Sequence, residues 1–463
     1  MRLTSPIVDR AAFDVRDWPH AQRVECAFSD FTATPRGKWV DLASFAQQQG
    51  CRLSSALLGV TLSGDVAPTV LGPIVPSDFS DLVLRADLST LSARPQRPHE
   101  LSVICEPTGP LRIMADGQTL DASALSPRAA LRRVLQSLKS QGLQARVAPE
   151  LEFFLLQPAP GQTPAWTAAQ PAAHMPVRER ACEANSLQRL AHFEGFFDAV
   201  YAACEALNIP ITGHDHEAAY SQFEVNFAPG EPLAMADAVF RFKSLVKTIA
   251  ARQGFIASFM PKPFPDEPGT GMHWHLSLQH TGETDWPHVF SHPDGRDRDA
   301  LAHFAGGLQA NAAAAMAIFA PHDASYERIS RADASPTRAS FGHEARDLAF
   351  RVPASNANAR RIENRLPGGD ANPYLVLAAT LAAGQWGLQT RAAVTRDPKD
   401  CAALPTDLLS ACEALEGNAT LRASLGDVLV DAYCGILRTE HHARAAHAQG
   451  VADWDSCHLM EGA

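Results

Sequence analysis

The chain lacks the features that mark several large classes of protein. Its nine cysteines are scattered, odd in number and never in a CxxC pair. That argues against a disulfide framework or a thiolate zinc site and for reduced, mostly structural thiols. There is no Walker loop and no GxGxxG run, so P-loop and kinase architectures are poor candidates. Basic excess is missing too: 40 Lys and Arg stand against 51 Asp and Glu, a formal charge of −11. Phosphate neutralisation supplies most nucleic-acid affinity, so no nucleic-acid partner is expected. Long apolar runs are absent. The most apolar stretch, Tyr374 to Leu388, contains Gly384 and Gln385, falls short of the ~20 residues needed to span a bilayer, and reads as a buried helix. The first ten residues lack the apolar core and cleavage site of a secretory signal. The expectation is a cytoplasmic protein with no membrane partner.

What is present is an ordinary globular mix, 46% hydrophobic and 20% charged over 463 residues. Such a mix excludes disorder, collagen-like repeats and coiled coil for the whole chain. Length alone, at roughly 150 residues per domain, suggests about three units; the pattern along the chain fits two better. From about Val24 to Cys105, β-type runs alternate with turn chemistry: Val24–Phe28, then the turn-like Thr34–Lys38, then Asp81–Asp87 and Leu101–Cys105. A helix is expected after Ser126, with that serine as cap and Pro127 in the first turn. Beyond it helices and strands alternate, separated by long Pro/Gly loops at Gln157–Pro176 and Pro261–Gly271, and terminal helices are expected to end near Trp454. The expected boundaries are a small, mostly β N-terminal domain over 1–110 and a large catalytic domain over 111–463.

Chemistry concentrates on strands. In Ala148–Leu156 the run Pro-Glu-Leu-Glu-Phe-Phe reads as a strand, and residues i and i+2 of a strand share a face about 6.5–7 Å apart. Glu150 and Glu152 therefore project together, with Leu151 and Phe153 opposite. Two acids on one face of an apolar strand are costly to bury unless a cation lies between them; the bland alternative is a solvated sheet edge. The same alternation recurs. It places His273 with His275, Arg361 with Glu363 and Arg365, and Glu224 with Gln222 and Asn226. Carboxylates with imidazoles and no nearby thiol suit Mg²⁺ or Mn²⁺, and paired acids on one strand can serve two ions. Arg328, Arg346, Arg351, Arg361 and Arg365 make sense beside them if anionic ligands enter, such as a polyphosphate and a carboxylate. The reaction class that follows is metal-assisted phosphoryl transfer from ATP, onto a carboxylate.

At this point the residues resemble the glutamine synthetase family along nearly the whole chain. The segments that carry the resemblance are Pro-Glu-Leu-Glu-Phe-Phe (149–154), His-Glu followed by Gln-Phe-Glu (216–224), and Phe-Met-Pro-Lys-Pro to Gly-Thr-Gly-Met-His-Trp-His (259–275). Arg-Val-Pro (351–353), Arg-Ile-Glu-Asn-Arg (361–365) and Ala-Asn-Pro-Tyr-Leu (371–375) follow in the same order. Pro-Arg-Gly-Lys (35–38), Asp-Leu-Ser-Thr-Leu (87–91) and the Glu217-to-Glu224 spacing are similar to the γ-glutamylpolyamine, or γ-glutamyl-amine, synthetase branch.

The resemblance implies an α+β fold: a β-grasp-like N-terminal domain plus a catalytic domain with a curved antiparallel sheet flanked by helices. It implies Glu152, Glu217 and Glu224 as ligands of a first metal and Glu150, His273 and Glu363 as ligands of a second, Mg²⁺ or Mn²⁺, two or more per site. His275, Arg351 and Arg361 resemble ATP-contacting positions. Arg346 resembles the catalytic arginine that meets the transferring phosphoryl group, and Arg328 and Arg365 the pair gripping glutamate, with Arg328 also catalytic and the Gly269 backbone beside them. The implied activity is an ATP-dependent ligase that joins the γ-carboxylate of L-glutamate to a small amine through γ-glutamyl phosphate. The implied assembly is a homo-oligomer, a dodecamer of two stacked hexamers.

The chain also departs from the family. Ala345 stands where an asparagine precedes Arg346, and Thr212 where a glutamate is usual. Counting back from Arg346 puts Ala334, beside Asp333, where ammonia-using members carry a glutamate, and the N-terminal ammonium aspartate has only Asp65 as a candidate. Loss of those carboxylates favours an amine bulkier than ammonia. Glutamine synthetase proper and a non-catalytic relative retained as an assembly remain as alternatives.

Overall fold

The computed structural model describes residues 13–95, 97–112, 117, 119–159, 166–169, 184–282, 285–330, 335–447 and 454–463. Cys182, Asp333, Ala334 and most of the expected Gln157–Pro176 loop lie outside these residues.

The first sheet is six-stranded. Its order is Pro35–Asp41, Arg23–Ser29, Arg97–Thr108, Asp81–Ala86, Gly50–Ser54, with Ser92–Arg94 also paired to the long Arg97–Thr108 strand. Arg23–Ser29 and Arg97–Thr108 run parallel, and the other pairs are antiparallel. Val24, Cys26 and Phe28 alternate into the core, as period-two patterning dictates. The Thr34–Lys38 stretch, expected as turn chemistry, is mostly strand. Pro35 opens an edge strand, where its missing N–H costs nothing. Gly37 is required where it stands, because a Cβ there would lie 1.9 Å from the Cys26 carbonyl oxygen.

The second sheet has nine strands. Its path runs Ile211–His216, Gln222–Phe227, Leu143–Pro158, Met272–His280, Ile362–Asn364, Phe350–Val352, Phe341–His343. All pairs along the path are antiparallel except the last, which is parallel. The central Leu143–Pro158 strand also pairs with Ile256–Ser258 and with Trp166–Ala168; the latter is a short strand inside the region expected to be loop.

One face of this sheet is apolar. Phe153, Phe223 and Trp274 are wholly buried there, and each contributes about 2–3 kcal/mol through apolar burial, enough to hold a costly arrangement of charge on the opposite face. Helices pack the apolar side. Pro127–Ser140 starts as expected, with Ser126 Oγ accepting from the Ala129 N–H at 3.2 Å. Pro373–Thr390 is buried almost all round and crosses Asp299–Phe319 closely at Gly307 and Gly387, where a Cβ on Gly307 would meet the Gly387 Cα at 2.7 Å. Most apolar side chains of both sheets belong to one continuous core, and Phe154, Leu156 and Trp166 pack in a smaller second cluster. The chain does not end its helices at Trp454: a further helix, Trp454–Gly462, begins there. Among the described residues no helix is long and apolar enough to cross a membrane.

Candidate active site

Strand register builds the site. Glu152 lies opposite Glu224, Glu150 is flanked by Asn226 and His273, and Glu363 is flanked by His275 and Arg351. Residues directly opposite on neighbouring strands project to the same side. All these side chains therefore share the face opposite Phe153 and Trp274. Separate alternations on four segments of sequence become one polar surface.

That surface has two poles. At the first, Glu152, Glu217 and Glu224 each present an oxygen, and the three oxygens lie within 4.8 Å of one another. Neutral donors hold them. Gln222 Nε2 donates to Glu152 at 2.9 Å and to the Gly269 carbonyl at 3.0 Å; the Gly271 N–H donates to Glu152 at 3.0 Å; and Asn226 Nδ2 donates to Glu224 at 2.7 Å. Burial and mutual repulsion push Glu152 up to about 8 and Glu224 up to about 9. Burial raises Glu217 as well.

At the second pole, Glu150, His275 and Glu363 converge within 4.8 Å, and His273 Nδ1 lies 3.8 Å from both Glu150 and Glu363. Here the protein supplies the countercharge. Arg351 and Arg365 donate to the two oxygens of Glu363 at 2.8 and 2.6 Å. Arg361 Nε donates to His275 Nδ1 at 3.1 Å, so His275 carries its proton on Nε2 and donates to Glu150 at 2.7 Å. Burial opposes ionisation of both acids, but these partners outweigh it, and Glu150 and Glu363 are held below the usual carboxylate range.

The donor chemistry fits hard divalent cations: oxygen alone at one pole, oxygen with imidazole at the other, and no thiol at either among the described residues. Glu150 touches both sets, since it also groups with Glu224 and His273.

A cavity of about 400 Å³ opens over the first pole, and Arg328, Arg346, Arg351, Arg365 and Gly269 line it. Arg328 is buried, anchored by a 2.6 Å bond to the Leu366 carbonyl, and its Nε and that of Arg365 have no hydrogen-bond partner among the described residues. Gly269 is needed for close approach, because a Cβ there would sit 2.0 Å from the Pro261 carbonyl oxygen. Arg346 turns its charge toward Glu217 and Asp215. Asp65 does not line this cavity; its carboxylate accepts from Ser63 at 3.0 Å. Thr212 bonds the Asn226 carbonyl at 3.2 Å.

The structure adds residues that sequence reasoning did not assign to the site. Asp215 lies on the wall beside Glu217 and accepts from Asn185 at 3.0 Å. The i, i+2 relation to Glu217 could have found it. Ala184, Ser335 and Pro336 complete the rim, and no motif marks them.

Comparison with known proteins agrees with this geometry. A family model described as "Glutamine synthetase, catalytic domain" matches residues 124–456. The glutamine synthetase of Methanocaldococcus jannaschii is 32% identical over 396 residues, which cover 81% of this chain and 82% of that protein. The gamma-glutamylputrescine synthetase PuuA of Escherichia coli is 30% identical over 378 residues, 80% of this chain and 76% of that protein. A solved structure described as apo GmaS without ligand superposes with a TM-score of 0.75 at 27% identity, covering 95% of this chain and 97% of the other.

Proposed function

The chain belongs to the glutamine synthetase family of ATP-dependent ligases, and from that premise we propose that it joins the γ-carboxylate of L-glutamate to an organic amine, a polyamine or monoamine. The observation that carries this reading is the pair of donor sets on one sheet face, with an arginine-lined cavity above them. Glu152, Glu217 and Glu224, and Glu150, His273 and Glu363, would hold Mg²⁺ or Mn²⁺, two or more ions per site, which when bound screen the charge of the triphosphate and of the transferring phosphoryl group.

The remaining work falls to side chains. Arg328 and Arg365, with the Gly269 backbone beside them, grip the glutamate. Arg346 faces the transferring phosphoryl group, and His275, Arg351 and Arg361 lie on the nucleotide side. A γ-carboxylate oxygen attacks the terminal phosphorus of ATP, the bond to the bridging oxygen breaks, and ADP leaves. A neutral amine then attacks the acyl carbon, phosphate departs with the former carboxylate oxygen, and the nitrogen sheds one proton. Positioned positive charge lowers the barrier to the first step, and water must be kept from the acyl phosphate during the second.

Two observations support an organic amine over ammonia. Residues 329–334 read Ile-Ser-Arg-Ala-Asp-Ala, where ammonia-using members of the family carry Pro-Gly and a glutamate. One relative, PuuA, is named as a gamma-glutamylputrescine synthetase. Glutamine synthetase proper is the second reading, favoured by the name of the Methanocaldococcus relative. ADP release with glutamate, Mg²⁺ and a panel of ammonium, diamines, polyamines, short alkylamines, ethanolamine and an aromatic amine separates them. The expected result is highest kcat/KM with an organic amine. Highest kcat/KM with ammonium would select the second reading, and no amine-stimulated turnover would sink both. The same proposal includes domains at 1–110 and 111–463, a cytoplasmic location and a dodecamer of two stacked hexamers, the last checked by light scattering.

A further inference from the structure

Away from the polar face, a second cavity of about 110 Å³ lies between the first sheet and the helix Pro232–Arg252. Four arginines line it, Arg94, Arg97, Arg241 and Arg252, with one lining carboxylate, Glu25, among the described residues. That carboxylate is already engaged: Arg94 donates to it at 2.6 Å and Ser102 at 3.1 Å. Arg97 bonds Glu100 at 3.3 Å. Arg241 is different. Its terminal nitrogens reach only the Ser92 hydroxyl, at 3.3 Å, and the Thr90 carbonyl, and its buried Nε has no hydrogen-bond partner among the described residues. Asp237 and Glu25 act on it only through space, and a buried guanidinium with no carboxylate hydrogen-bonded to it gains when an anion completes it. The rest of the wall is apolar, from Leu207, Leu245 and Ile249, with the Ser244 and Thr248 hydroxyls at its border. A cationic end and an apolar end in one small enclosure select a ligand with the complementary halves.

The same helix touches the active site. Lys243, on its other face, donates to the Gly369 carbonyl at 2.9 Å. The Gly369 N–H bonds Thr270, and Gly368 bridges to Gly271, so this segment backs the Gly269–Gly271 loop. We propose that the cavity binds a small amphipathic oxyanion, a carboxylate or phosphate with a short apolar tail. Its occupancy is transmitted through helix Pro232–Arg252 to the glutamate side of the active site. The binding site does not depend on which amine is used, whereas its coupling to glutamate rests on the proposed placement of glutamate at Arg328 and Arg365.

Calorimetry on the full chain, with saturating glutamate so that Arg328 and Arg365 are engaged, tests it with hexanoate, hexyl phosphate and hexylammonium. One of the two anions should bind, their ranking identifying the head group, and hexylammonium should not. Arg241→Gln should weaken binding about tenfold or more, and Leu245→Trp, which fills the apolar end and leaves every arginine in place, should do the same. Saturating anion should shift the KM for glutamate about fivefold or more in wild type and leave it unchanged in Leu245→Trp. Absence of binding by both anions, equal binding by wild type and both variants, or a glutamate KM indifferent to bound anion would overturn the proposal.

Discussion

The two poles of the site use the same residue type to opposite electrostatic ends. Glu152 and Glu224 are crowded by other carboxylates and hydrogen-bonded only by amides, with Arg328 and Arg365 acting on Glu152 from farther off, and their pKa values rise to about 8 and about 9. Glu150 shares a strand with Glu152, and Glu363 lies two strands away across Met272–His280 on the same sheet face, yet imidazoles and guanidiniums hold both below the ordinary range. Strand position fixes where each carboxylate points, and the residues across the strand decide its charge. The guanidiniums near the first pole do not offset its crowding, so it must import most of its positive charge, whereas the second already owns it. Divalent cations should therefore matter most to folding at the crowded pole and most to turnover at the compensated one.

Removing Glu363 gives the largest expected effect. Glu363→Ala removes a carboxylate from the second donor set and strands Arg351 and Arg365 without their shared partner. Amine-stimulated ADP release should fall by about a thousandfold or more, and the metal-free protein should lose about 3 kcal/mol in urea unfolding. Near-normal kcat would refute the assignment. Glu224→Gln should act oppositely on the apoprotein. Relief of crowding should raise metal-free stability by about 1–3 kcal/mol, while Mg²⁺ affinity drops about 10–100-fold. Loss of metal-free stability in this variant would erase the distinction between the poles.

The smallest effect expected is one of pH. Glu152 and Glu224 keep their protons to higher pH in the folded chain than in the unfolded one. Their stabilising contribution is thus complete below the ordinary carboxylate range and is lost as pH rises toward 8 and 9. Glu150 and Glu363, with depressed values, contribute above that range and fail only as pH falls below it. Chelated protein should lose Tm steadily between pH 5 and 9, and saturating Mg²⁺ should flatten the slope. A chelated Tm that climbs to pH 9 would contradict the crowding at the first pole.

Much of this was legible in sequence because strand alternation is local. The shared faces of Glu150 with Glu152, of His273 with His275, and of Arg361, Glu363 and Arg365 follow from period two alone. Which strands meet does not. The pairings Glu224 with Glu152 and His273 with Glu150 join residues far apart in the chain, and only the family resemblance anticipated them. Gln222 and Asn226 were placed on the right face, but a neutral amide carries no signal of the acid it will hold. Asp215 shares the i, i+2 relation with Glu217, yet its strand, Ile211–His216, has little apolar alternation to announce it. In the N-terminal sheet, Pro35 and Gly37 carry turn chemistry, but an edge position and one close backbone approach turn them into strand. The helix Trp454–Gly462 has weak amphipathic patterning, and its helicity rests on the packing of Trp454 and Leu459 beside Phe154 and Leu156.

The fate of one oxygen atom tests the two-step transfer most directly. With glutamate labelled by ¹⁸O at both γ-carboxylate oxygens, ATP, Mg²⁺ and the preferred amine, mass spectrometry of the products follows it. Attack by the carboxylate on ATP, then by the amine on the acyl phosphate, predicts one ¹⁸O in inorganic phosphate and one in the amide. Unlabelled phosphate, with turnover intact, would contradict it.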